Sequence, residues 1–140
     1  DSGVDSFWLD IKAYDDEVHR WLTGCSNEEV LKLPARLREM GFVLEVLSLY
    51  IPGVVESDQL RLIARLLAEV DADIPFTILA FFPQYQMRAY RPPNVEEIIR
   101  AYHEVKAEGL RKIRLGNIGV FARREEDFQL LAEKVDPEAF

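Results

Sequence analysis

Phe42-Val43-Leu44-Glu45-Val46-Leu47-Ser48-Leu49-Tyr50-Ile51, followed at once by Pro52-Gly53, decides the fold. All but Glu45 and Ser48 are apolar. Such a run reads as a strand over 42–51 buried on both faces of a parallel sheet, and Pro-Gly stops it. On its amino-terminal side, Ser26 and Glu29 stand at capping-box spacing ahead of a helix. That helix carries Val30, Leu33, Leu37 and Met40 on one stripe, has Pro34 inside as an expected kink, and ends at Gly41. On the other side, Ser57 opens a helix with Leu60, Ile63, Ala64 and Leu67 facing inward, and residues 74–82 form a further strand ended by Pro83.

The alternation continues outward. Residues 7–12 read as a strand, followed by a short helix that Asp15 or Asp16 starts and Gly24 stops, with Val18, Trp21 and Leu22 apolar. Residues 84–93 read as a long loop. Asn94 caps the next helix, with Glu97 three residues on and Val95, Ile98, Tyr102 and Val105 as its stripe, and Gly109 ends it. A strand over 112–115 ends at Gly116-Asn117, and a last helix over 124–135 is expected to bury Phe128, Leu131 and Val135 before Pro137. Strands separated by helices require crossover connections and hence parallel pairing. The expected fold is α/β, a parallel (βα) partial TIM-like barrel of four strands and five helices, about half of a barrel. Residues 1–140 form one domain, since a chain of this length with 49% hydrophobic residues can bury one core.

Half a barrel leaves the edge of the first strand unpaired and the concave face uncovered. A missing segment or a second copy, giving a homo-oligomer through the open edge, is expected to cover them. The chain starts at Asp1 without an initiator methionine or a basic-then-apolar leader, so it is read as beginning inside a longer protein.

With 25 acidic and 17 basic residues, the net charge is −8, which repels phosphate backbones. Arg111, Lys112 and Arg114, and the pair Arg123-Arg124, read as solvated element ends, and no nucleic-acid partner is expected. No apolar run approaches the ~20 residues needed to span a bilayer, so no membrane partner is expected either. Cys25 alone supports neither an intrachain disulfide nor a multi-thiolate metal site, which fits a reducing, cytoplasmic location.

Within this frame Trp8-Leu9-Asp10-Ile11-Lys12 carries the candidate chemistry. Residues two apart on a strand share a face, so Asp10 and Lys12 project together where the strand gives way to a loop. Ligands gather at that carboxyl end of parallel sheets, but a pair closing one end of a core has the same spacing. Both readings stand at this point. Glu45, mid-strand among apolar residues, requires a partner such as Lys12 or Arg114. Cys25 reads as structural. His19 and His103 lie on different helices without ligand-like spacing. Tyr85 and Met87 on the 84–93 loop are candidates for a substrate-side lid, and Asn117 is a candidate ligand donor as well as an ordinary turn residue.

Several stretches, in order, resemble the carboxyl-terminal half of radical S-adenosylmethionine (SAM) enzymes of the pyruvate formate-lyase activating type. They are Leu9-Asp10-Ile11-Lys12-Ala13 with Asp15-Asp16-Glu17; Leu22-Thr23-Gly24; Leu49-Tyr50-Ile51-Pro52-Gly53 with Glu56-Ser57; Phe82-Pro83-Gln84-Tyr85-Gln86-Met87; and Gly109-Leu110-Arg111 with Leu115-Gly116-Asn117. The subgroup most resembled is the AmmeMemoRadiSam activating-enzyme homologues. The resemblance implies an oxidoreductase whose [4Fe–4S] cluster reductively cleaves SAM to a 5′-deoxyadenosyl radical. That radical abstracts hydrogen from a glycyl-radical-type protein substrate or from a small molecule. It also implies that the cluster-binding half precedes this chain, that Cys25 is not a ligand, and that the chain binds neither group and is inactive alone.

By the same resemblance, Asp10, Lys12, Phe82 and Asn117 lie on the SAM side. The family's arginine and histidine in this region are replaced by Leu47 and Phe82, which leaves the substrate open. Two other functions fit the residues themselves. Lys12 beside a carboxylate at a barrel strand end can serve as the Schiff-base lysine of an aldolase-like lyase. A non-catalytic interaction module could dock a partner through the open edge and apolar concavity.

Overall fold

A computed structural model describes residues 6–83 and 89–140. Four strands, β1 (Ser6–Asp10), β2 (Val43–Tyr50), β3 (Phe76–Ala80) and β4 (Ile113–Gly116), lie in the order of the chain, and every pair is parallel. Helices α1 (Asp16–Thr23) and α2 (Glu28–Glu39) connect β1 to β2, α3 (Ser57–Val70) connects β2 to β3, and α4 (Val95–Lys106) connects β3 to β4. Strands in sequential order with same-handed crossovers place all these helices on one side of the sheet. After β4 come a one-turn helix α5 (Ile118–Phe121), helix α6 (Glu125–Lys134) and a 3₁₀ turn (Pro137–Ala139).

The α/β class and the four parallel strands agree with the sequence reading. The helix count differs, because Asn117 leads straight into α5, and four residues are too few to show a helical period. Strand ends also shift. β1 stops at Asp10, and β3 is confined to five residues. Lys12 thus lies just beyond the ladder, whose last backbone bond is donated by the Ile11 N–H to the Leu47 carbonyl at 3.0 Å.

β2 is not buried on both faces, as its sequence implies. Leu44, Val46, Ser48 and Tyr50 are buried, whereas Val43 is exposed and Glu45, Leu47 and Leu49 are partly so. In-register pairing extends this division across the sheet. Phe76, Ile78, Ile113 and Leu115 face the helices with Leu60, Ile63, Leu67, Ile98 and Val105. The opposite face carries Trp8 and Asp10, then Glu45, Leu47 and Leu49, then Thr77 and Leu79, then Arg114 and Gly116. No helix among the described residues covers it. A concave inner face and a helix-covered face are equally rich in Val and Leu here, so composition cannot tell them apart.

Local signals explain the helix limits. Asp15 accepts the Val18 N–H at 3.1 Å, and Gly24 closes α1 at φ 80°. Asn94 and Glu97 form the reciprocal capping box at 2.9 and 3.0 Å. At α2 the Ser26–Glu29 box is not made. Asn27 is the cap residue, Ser26 Oγ accepts the Glu28 N–H at 3.1 Å, and Asp16 Oδ1 accepts from both Ser26 Oγ and the Asn27 N–H at 3.0 Å. Helix α2 runs on through Pro34, whose ring is buried, and Met40 is exposed. In α6 the inward stripe is Asp127 and Leu131, continuing into Val135, and Phe128 is 51% exposed rather than buried. The Asp127 carboxylate takes the inward position because it accepts the backbone N–H groups of Arg123 and Arg124, which also hold its pKa down.

Candidate functional site

Asp10 and Lys12 meet at the carboxyl end of β1. Lys12 Nζ donates to Asp10 Oδ2 at 2.5 Å, and both side chains are 38% exposed. Trp8, Asp10 and Lys12 alternate onto the sheet face that the helices leave open. The segment beyond them is fixed from behind. Ser48 Oγ, fully buried, donates to the Ile11 carbonyl at 2.6 Å, so the residue between the two charges is tied to β2. Buried Asn27 donates its side-chain amide to the Tyr14 carbonyl at 2.6 Å and the Ala13 carbonyl at 3.4 Å, which holds the chain leaving Lys12. Asp16 anchors that asparagine in turn. Its hydrogen bonds from Arg20, then from the Asn27 N–H and Ser26, draw its pKa down to about 2.

The other expected site residues sit at the same edge of the sheet, beyond β3 and β4. Phe82, 54% exposed, lines a cleft of about 490 Å³ with Asn117, Gly119, Val120 and Arg123. Asn117 is in the left-handed region at φ 57°, a conformation asparagine tolerates, and donates its side-chain amide to the Ala80 carbonyl at 3.1 Å. One amide donor thus ties the end of β4 to the end of β3. At Gly116, immediately before, a Cβ would lie 2.3 Å from Leu79 Cδ2, so any side chain there requires the Leu79 side chain to turn away. The structure therefore brings Asp10 to Lys12 and Phe82 to Asn117, as two clusters on one edge. Asp10 and Lys12 do not line the Phe82 cleft. Tyr85 and Met87 lie outside the described residues.

Two further charges lie on the open face, Glu45 one row below Asp10 and Arg114 in the same row as Asp10. Arg114 Nη1 is 3.8 Å from Glu45 Oε1, so Arg114 supplies the partner that Glu45 requires. In-register pairing sets Asp10, Leu47, Thr77 and Arg114 in one row across four strands. Among the described residues, Lys12 rests half-exposed on a carboxylate, without the apolar, desolvated pocket that activates a Schiff-base lysine. Buried His19 is structural. Its Nδ1 bonds the Cys25 carbonyl at 2.8 Å. Among the described residues no group of three His, Cys, Asp or Glu side chains is placed to hold a metal. No helix among them is long and apolar enough to cross a membrane.

Sequence reasoning missed Ser48, Arg123 and Trp21. The first had a signal, as the one hydroxyl in a run of Val and Leu. Arg123 read as a solvated end. Trp21 read as part of an apolar stripe, yet it is 58% exposed.

No protein-family model matches the chain. It is 30% identical over 102 residues to a protein of Methanocaldococcus jannaschii named as a candidate glycyl-radical enzyme activating enzyme, which covers 70% of this chain and 39% of that relative. It is 26% identical over 118 residues to a pyruvate formate-lyase-activating enzyme of Staphylococcus epidermidis, covering 76% of this chain and 47% of the relative. The chain thus spans less than half the length of either curated relative. Among solved structures, a domain of a pyruvate-formate lyase-activating enzyme from Bacteroides vulgatus superposes with a TM-score of 0.67 at 23% identity, covering 81% of this chain and 68% of that one. That likeness agrees in fold. The sequence matches support a relation to the activating enzymes and do not reach the level of a subgroup.

Proposed function

We propose that these 140 residues are the later part of a radical SAM domain that activates a glycyl-radical-type protein substrate. The observation that carries this reading is the Asp10–Lys12 pair, placed at the carboxyl end of a strand in an all-parallel sheet of a chain 30% identical to an activating-enzyme relative. The residues present do not fit an iron–sulfur cluster. Cys25 is the single cysteine, it is exposed, and among the described residues it belongs to no group of three ligating side chains. In this reading the cluster belongs to the part of the protein outside these residues, and no step is derived through it.

SAM fits the edge better. The chemistry it supplies when bound is reductive cleavage of its sulfonium and hydrogen-atom abstraction. Asp10, facing the open side of the sheet, accepts from a cationic group, the ammonium of SAM or a monovalent cation, and Lys12 keeps the pair neutral when none is there. The exposed Phe82 ring and the free capacity of the Asn117 amide flank a planar base in the 490 Å³ cleft. Leu47 and Leu49 keep the surface between the two clusters dry enough to strengthen those contacts.

SAM binding to the full-length protein by calorimetry tests the reading. A charge-assisted hydrogen bond is worth ~1.5–3 kcal/mol, so Asp10→Asn should weaken binding roughly 10- to 100-fold. The fold should hold, because half-exposed pairs contribute only ~0–1 kcal/mol to stability. Unchanged affinity in Asp10→Asn refutes the role of the pair. Absence of 5′-deoxyadenosine formation by the reconstituted full-length protein under reductant refutes the class.

A further inference from the structure

Trp21 stands out from α1. Its neighbours Val18 and Leu22 pack against the core, while its indole remains mostly exposed and meets Tyr90 edge-on, with ring centroids 5.9 Å apart and planes at 69°. These two rings, with Glu17, Val18, Gly53 and Val54, line a groove of about 300 Å³. Helix α1 follows β1, Gly53 and Val54 follow β2, and Tyr90 follows β3, so the groove opens on the same edge as Asp10 and Lys12. At Gly53, in the left-handed region at φ 83°, nothing lies within 4 Å of where a Cβ would be, which keeps that side of the groove open.

Its electrostatics select the occupant. Of the described lining residues only Glu17 is charged, and it makes no ion pair with any other described residue. The two arginines nearest in sequence are engaged elsewhere. Arg20 is held by Asp16 at 2.8 Å, and Arg91 grips Glu97 through two bonds of 2.7 Å. In the edge-on contact the positive edge of one ring already meets the negative face of the other, so what the pair offers a cation is the ring face left uncovered toward the groove, and Trp is the strongest such face. An anion would be repelled by Glu17, and a purely apolar group would strip water from that carboxylate without replacing its hydrogen bonds. A guanidinium or ammonium satisfies both walls.

We infer that this groove receives the lysine or arginine side chain of a partner protein docking at the sheet's carboxyl edge. The inference rests on the reading above that a protein is presented at that edge. The chain's net charge of −8 favours the approach of a basic segment. Trp and Tyr are also among the residue types enriched at the energetic hot spots of protein interfaces.

The test is a titration of the ¹⁵N-labelled full-length protein with N-acetyl-arginine amide, against N-acetyl-citrulline amide, its uncharged near-isostere. The expected result is saturable shifts of the Trp21 indole N–H at millimolar arginine amide and none with citrulline amide. Trp21→Leu keeps the bulk but loses the π face, and should weaken binding about two- to five-fold, read from the backbone amides of Glu17, Val18 and Val54 in both proteins. Glu17→Gln should weaken it likewise. Equal response to citrulline amide, or undiminished binding by Trp21→Leu, overturns the inference. Neither cluster, SAM nor turnover enters this titration, so its failure is distinguishable from failure of the activating-enzyme reading.

Discussion

Ser48→Ala is the change that most directly probes how the candidate site is built. The hydroxyl is fully buried and donates at 2.6 Å to the carbonyl of Ile11, itself fully buried. No backbone N–H among the described residues donates to that carbonyl, because the β1–β2 ladder ends one bond earlier, at the Ile11 N–H. Alanine therefore strands a buried acceptor rather than exchanging one partner for water, and the cost is the desolvation of that acceptor, ~1–3 kcal/mol. Taking ~2 kcal/mol, a chain of this size loses roughly 6 °C of melting temperature. Urea denaturation followed by circular dichroism should show a lower midpoint with an unchanged slope, since the surface exposed on unfolding is the same. Hydrogen exchange at the Ile11 amide should quicken, because the strand end carrying Asp10 and Lys12 is no longer held from β2. A midpoint equal to that of the unaltered chain would show that the bond contributes nothing and that Ile11 is held by other means.

Three further outcomes follow from Asp16, Tyr50 and Tyr102. The Asp16 carboxyl is held at about 2, against an ordinary 3.8, by Arg20 and then by the Asn27 N–H and Ser26. A lowered pKa contributes stability in full above the ordinary value and loses it as pH falls toward 2, so Asp16→Asn should flatten the acid limb of a stability–pH profile between about 4 and 2. Tyr50 is pushed up to about 12 by burial, with the Glu97 and Glu56 carboxylates adding to it. That stability is complete below pH ~10 and lost between about 10 and 12. Tyr50→Phe should remove this alkaline loss, and phenolate absorbance should show one late-titrating tyrosine fewer. Finally, Tyr102 Oη donates to Asp136 Oδ2 at 3.0 Å and accepts from Lys106, pinning the 3₁₀ turn to α4. Tyr102→Phe should cost ~1 kcal/mol and speed hydrogen exchange in residues 137–140, and unchanged exchange there would contradict the pinning.

Much of the architecture was legible because it is written in local chemistry. Gly24, Gly41, Gly53 and Gly109 all stop elements at positive φ, and Asp15 and Asn94 cap the helices they precede. The candidate pair was legible too, as a spacing of two with opposite charge. What could not be read was which side of each element faces out. Val43, Leu47 and Leu49 suit an inner concave face as well as a helix-covered one. Phe128 lost its inward place to Asp127, because a carboxylate that caps two backbone amides outweighs a ring that remains half-covered at the surface. Likewise the Ser26–Glu29 spacing was correct for a box, but Asp16, ten residues earlier, reached the Asn27 amide and shifted the cap by one.

The distribution of charge on the open face explains why its two ends differ. The helix-covered face of the sheet admits no ionised side chain, so the face that remains carries Asp10, Glu45 and Arg114, with Lys12 at its upper edge. These four pair within the set, Lys12 with Asp10 at 2.5 Å and Arg114 with Glu45 at 3.8 Å, so the face is neutral without a ligand. Neutrality matters because Leu47, Thr77 and Leu79 lie between the pairs, and an uncompensated charge beside them would be costly once water is displaced. A cation that binds Asp10 must therefore share it with Lys12. The observed affinity is then a difference between two ion pairs rather than the strength of one, and the Lys12 ammonium is held where a small displacement toward solvent releases the carboxylate.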